Sequence, residues 1–170
     1  MWIKAAILLL LIAVFVQDMR ERSVYWFLFP LLASALFFNR MSVQRFGDLW
    51  PPVMTNICFL GIQLLLVSAW FSLRNGKWTN ITTSLLGWGD ILFLACIAFG
   101  LPVFSFLAFY LVSLTAIAIC WAVLRGIRRV GDIPLAGLQA LLLAFVLSGD
   151  WWVFHADITN DEWMLKLITL

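Results

Sequence analysis

The chain has 170 residues, 64% of them hydrophobic and only 12% charged, with a formal net charge of +2. A mean hydropathy of +1.02 excludes an ordinary soluble domain. So small a net charge, scattered in short basic clusters, gives no footing for a nucleic-acid partner. The length suffices for about six spans of roughly 20 residues with short loops, and no stretch is polar enough for a sizeable domain outside the lipid.

The first apolar segment runs from about Trp2 to Gln17. Lys4 followed by Ala5 to Val16 has the outline of a signal peptide. Gln17-Asp18-Met19-Arg20 offers no small-residue cleavage site, however, and further spans follow at once, so the segment reads as a retained helix. Asp18 opens a charged loop to Ser23 that carries Arg20, Glu21 and Arg22. The second segment, Val24 to Phe38, holds Pro30 as an expected kink. A polar connection, Asn39 to Trp50, leads to Pro51-Pro52 and a third segment, about Val53 to Leu73, with Arg74 to Thr83 as the next loop.

From Ile91 to Leu124 there are 34 residues without a charge, more than one tilted helix needs, and Gly100-Leu101-Pro102 supplies the break. The stretch divides into a fourth segment, about Ser84 to Phe99, and a fifth, about Val103 to Leu124. Arg125 to Asp132 forms a basic loop in which Asp132 is placed as an N-cap. A sixth segment starts near Pro134, a favourable first-turn residue, and runs to about Val153. His155 to Leu170 follows as a tail carrying Asp157, Asp161 and Glu162, with an amphipathic end. The expected fold is all-α, a polytopic membrane bundle of about six helices in one domain.

The loops after segments one, three and five carry Arg20, Arg22, Arg74, Lys77, Arg125, Arg128 and Arg129, whereas the other side has Lys4, Arg40, Arg45 and Lys166. This excess places the first set of loops in the cytoplasm. Asp18 and Asp90 thereby fall on one side of the membrane, at similar depth. The ten tryptophans suit helix ends at a lipid interface. Cys58, Cys96 and Cys120 lie in apolar segments without a C-x-x-C pair and read as buried thiols. His155 is the sole histidine, so no His-rich metal cluster is available, and no cofactor is expected. Gln63 and Gln139 are expected to bond between helices, and Asp150 to lie at a boundary.

Asp90 closes the run Gly87-Trp88-Gly89-Asp90 at the head of an apolar stretch, and Asp18 ends the first one. Carboxylates are costly near lipid and invite a functional reading. Singly, each is also an ordinary helix-end residue. Together, an Asp followed by the Arg-bearing Met19-Arg20-Glu21-Arg22 and a later G-x-G-D resemble the type IV prepilin peptidases, aspartyl peptidases of prokaryotic membranes. Ile133-Pro134-Leu135-Ala136-Gly137 is similar to the proline- and glycine-containing start of that family's last helix.

The resemblance implies Asp18 and Asp90 as the catalytic pair, with Gly87 and Gly89 as backbone that leaves room for an extended peptide and can adopt positive φ. It also implies a pilin-like precursor as partner, with a charged leader ahead of an apolar helix, cut at the cytoplasmic face of the cell membrane among its lipids. The sequence departs from the family pattern at Leu92, where a lysine is common, and at Val24-Tyr25-Trp26, where Ile-Pro-Asn often stands. The N-terminal domain of longer members, with its cysteine pairs and methylation activity, has no counterpart, so methylation is not expected.

Hydrolysis by such a pair needs one ionised acid to deprotonate water and one protonated acid to polarise the scissile carbonyl; two close carboxylates share a proton because both cannot cheaply be charged. Asp90, at a helix N-terminus, suits the base, and Asp18, at a helix C-terminus, suits the acid. Two other readings use the same residues: a non-catalytic membrane partner protein, and a proton-coupled transporter, whose acids would be expected nearer the bilayer midplane.

Overall fold

A computed structural model describes residues 2–75, 87–127 and 134–154, together with 158, 159 and 161. Among the described residues there are six α-helices and no strand: α1 (Trp2–Glu21), α2 (Leu28–Met41), α3 (Phe46–Asn75), α4 (Trp88–Gly100), α5 (Val103–Ile127) and α6 (Leu135–Gly149). A π-helical turn, Asp150–Phe154, continues α6. Four stretches are long and apolar enough to cross a membrane: Trp2–Glu21, Phe46–Arg74, Val103–Val123 and Leu135–Val153. The helices α2 and α4 are apolar but shorter, at 14 and 13 residues. The fold is an α-helical membrane bundle.

Each helix buries one stripe. On α1 the buried residues are Ile7, Leu11, Val14 and Asp18, spaced as neighbours on one helical face. This face lies against α6 and α2. The α2 stripe, Leu28, Phe29, Leu32, Leu36, Asn39 and Arg40, turns toward α4. The short α4 is enclosed by α2, α3 and α6 and buries Phe93, Leu94, Cys96, Ile97, Ala98 and Gly100. At Gly100 a Cβ would stand 2.9 Å from the Leu36 Cβ, so a hydrogen there is what lets α2 and α4 touch. The outward faces keep large apolar groups exposed, such as Leu65, Leu66, Trp70 and Leu73 of α3. Hydrocarbon is as good a neighbour for these as protein.

Pro102 accounts for the break after α4. It has no N–H to offer the Ala98 carbonyl, and a freed carbonyl at membrane depth needs another donor. Asn56 Nδ2 of α3 donates to Ala98 O at 3.3 Å and to Leu101 O at 3.0 Å, and Arg40 Nη1 of α2 donates to Leu101 O at 3.3 Å. Nearby, Gln44 Nε2 donates to Thr159 O at 3.3 Å, and Asp161 accepts from the Phe104 and Ser105 N–H groups at 3.4 and 3.3 Å. The described tail residues thus close one end of the bundle.

Several expected boundaries move. Asp18 lies inside the last turn of α1, on its buried stripe, because the helix continues through the charged residues to Glu21. Pro30 is the third residue of α2, where a missing N–H costs no intrahelical bond, so it makes no mid-span kink. The polar connection from Asn39 to Trp50 shrinks to Ser42 through Arg45, since Asn39 and Arg40 find partners or packing within the bundle. Pro51 and Pro52 lie within α3; the carbonyls they leave unbonded belong to exposed Gly47 and Asp48.

Asp150 stands at the C-terminal end of α6, 3% exposed, and its Oδ1 accepts the Ile158 N–H at 3.3 Å. Of the three thiols only Cys96 is buried, while Cys58 and Cys120 face outward. Lys77, Ser84, Arg128, Arg129, Asp132, His155, Asp157, Glu162 and Lys166 lie outside the described residues.

Candidate functional site

Three helix ends meet at the other end of the bundle: the last turn of α1, the first of α4 and the first of α6. Pro134 stands at the N-cap of α6 with φ −76° and ψ 78°. A Ser, Thr, Asp or Asn in that position would use its side chain to bond the N–H groups two and three residues on. Proline has nothing to offer them, and both go to acids from other helices. Asp90 Oδ1 accepts the Ala136 N–H at 2.8 Å, and Asp18 Oδ2 accepts the Gly137 N–H at 2.6 Å.

The two carboxylates therefore sit on consecutive amides of one helix N-terminus. Unpaired N–H groups and the positive end of the helix dipole both favour negative charge there. Asp18 is 8% exposed, whereas Asp90 is half-buried beside exposed Gly87 and Trp88. Asp90 also accepts the Gly87 N–H through Oδ2 at 3.3 Å. It thus has two backbone donors to Asp18's one.

Sequence reasoning named Asp18 and Asp90 and missed the two amides that hold them. The available signal was Pro134 followed by the small residues Ala136 and Gly137. A Cβ at Gly137 would lie 3.0 Å from both Cβ and Oδ2 of Asp18 and 3.3 Å from Phe15 O, so only glycine allows α1 this close to α6. The expected roles of the other two glycines narrow. Gly87 is an extended N-cap with φ −66° and ψ 143°, so it makes no use of positive φ, and its contribution is the N–H given to Asp90. Gly89 lies within α4, where an added Cβ would meet nothing closer than Phe29 Cζ at 3.9 Å. Two polar contacts expected between helices are present: Gln63 with the Tyr110 hydroxyl, and Gln139 Nε2 with Ser113 Oγ at 3.3 Å.

No family model, no curated protein and no solved structure matches this chain.

Proposed function

We propose that the chain is a membrane-embedded aspartyl endopeptidase of prepilin-peptidase type, cutting pilin-like precursors where a charged leader joins an apolar helix. The observation that carries this reading is the seating of Asp18 and Asp90 on the adjacent Gly137 and Ala136 amides, which brings two acids from distant parts of the chain to one end of α6. Asp90, with two N–H donors, is assigned as the base that deprotonates water. Asp18 is assigned as the acid that protonates the developing oxyanion. Placed at the membrane surface, the pair meets a substrate whose helix remains in lipid while its leader lies in water. The excess of basic residues in the sequence of the loops on this side supports a cytoplasmic orientation of this face.

The same geometry also favours a second reading, in which both acids only cap α6 within a non-catalytic membrane partner protein. Asparagine separates the two, because its carbonyl still accepts the N–H but does no acid–base work. Purified protein in liposomes should cleave pilin-like precursors, and Asp18→Asn and Asp90→Asn should each lose cleavage while keeping their melting temperature. Wild type inactive on a broad precursor panel, with both variants folded, would leave the capping role alone standing.

A further inference from the structure

The end of the bundle away from the acids is indented by a recess of about 490 Å³. Its wall includes Arg40 from α2, Gln44 and Arg45 from the connection, Asp48 from the start of α3, and Pro102 and Asp161. That volume falls in the ~300–1,000 Å³ range of small-molecule sites.

Arg40 is the buried member of this wall, at 1% exposed. A guanidinium has donors on three nitrogens. Arg40 Nε donates to Gln44 Oε1 at 3.0 Å and Nη1 to Leu101 O at 3.3 Å. Among the described residues Nη2 has no acceptor, and no carboxylate pairs with the charge. Asp161 is turned instead to the Phe104 and Ser105 N–H groups. Unlike the buried amide oxygens of Asn56, Gln63 and Gln139, Nη2 is not sealed off by protein, and the recess is the space at Arg40 that it meets. A buried cation without a counter-charge is costly, so this one calls for an anion in the recess.

A simple anion answers only half of the wall. Two arginines there are balanced by two carboxylates, so the cluster carries no net charge. Asp48 is exposed, and its carboxylate bonds nothing among the described residues. A ligand bearing both signs matches this arrangement: an anion on Arg40 and Arg45, and a cation with N–H donors on Asp48. The surroundings indicate where such a ligand comes from. Val43, on the same wall, is exposed and apolar, and Phe46 and Trp50 are exposed with their rings 5.8 Å apart. Aromatic side chains at a helix end mark the level of lipid headgroups.

We propose that this recess binds the phosphoethanolamine headgroup of a membrane phospholipid, with the phosphate on Arg40 and Arg45 and the ammonium on Asp48. The site lies apart from Asp18 and Asp90, and the proposal does not depend on the peptidase reading.

The test uses the full chain purified in detergent and stripped of lipid, then titrated with phosphatidylethanolamine, phosphatidylcholine or phosphatidylglycerol. Bound lipid is counted by native mass spectrometry, and the melting temperature is followed alongside. Phosphatidylethanolamine should bind about tenfold tighter than phosphatidylcholine, whose cation has no N–H, and than phosphatidylglycerol, which has no cation. Arg40→Gln would also remove the Leu101 bond, so the exposed residues carry the test. Arg45→Gln should weaken phosphatidylethanolamine about tenfold, and Asp48→Asn should bring it down to the level of phosphatidylglycerol. Equal binding of all three lipids, unchanged in both variants, would overturn the site. Preference for phosphatidylglycerol would overturn the zwitterionic ligand. Soluble glycerophosphoethanolamine displacing the lipid at equal concentration would overturn the membrane as its source.

Discussion

Asp18 and Asp90 are separated in the chain by the whole of α2 and α3, yet the α6 amides that hold them belong to adjacent residues. Chemistry at such a pair depends on protonation state, so replacing either acid with asparagine should reduce cleavage by about 10²-fold or more, measured as kcat/KM on a precursor peptide. Glycines around the pair should respond unequally. Gly137→Ala pushes a methyl group against the Asp18 side chain and the Phe15 carbonyl. Misplacing the acid by a fraction of an ångström should cost about tenfold in kcat. Gly89→Ala meets open contact distance and should stay near wild type. Comparing the two in one assay distinguishes a steric requirement from a general intolerance of substitution in this motif.

At the scale of elements, the order and apolar character of the helices were legible from hydropathy and breakers, and Gly100-Leu101-Pro102 ends α4 as its residues require. The extent of α2 was not. Asn39 and Arg40 look like a loop because polarity normally signals water, but Arg40 is 1% exposed and bonds a carbonyl 61 residues away. Nothing local announces that partner. Asn56→Leu should orphan the Ala98 carbonyl, leave Leu101 O to Arg40 alone, and destabilise the bundle by about 1–3 kcal/mol, read as a lower melting temperature in detergent. Gly100→Leu should cost a similar or larger amount by forcing α2 off α4, and a compensating Leu36→Ala should recover part of it.

Across the whole molecule the two ends differ. One gathers the acids at three helix termini, while the other is closed by Arg40, Asn56, Gln44 and Asp161. The proposed function requires the acid-bearing end to face the cytoplasm. Single cysteines at exposed Arg20 and exposed Arg45, introduced after Cys58→Ser and Cys120→Ser, should react with a membrane-impermeant reagent from opposite sides. Arg20→Cys should be labelled only in inverted vesicles, and the reverse pattern would remove the cytoplasmic assignment.

Composition and spacing alone determined that this chain is a helical membrane bundle, that its long uncharged run is two helices, and that Asp18 stands at the close of one apolar stretch and Asp90 at the head of another. These follow from the thickness of hydrocarbon and the cost of charge within it, which act on short stretches of sequence. Tertiary structure decided what lies beside what: that Pro134 leaves two amides for acids from other helices, that Gly137 is the glycine the site needs, and that Arg40 is interior. A hydrogen bond or a close approach between distant segments depends on how helices pack, and no local pattern encodes its partner.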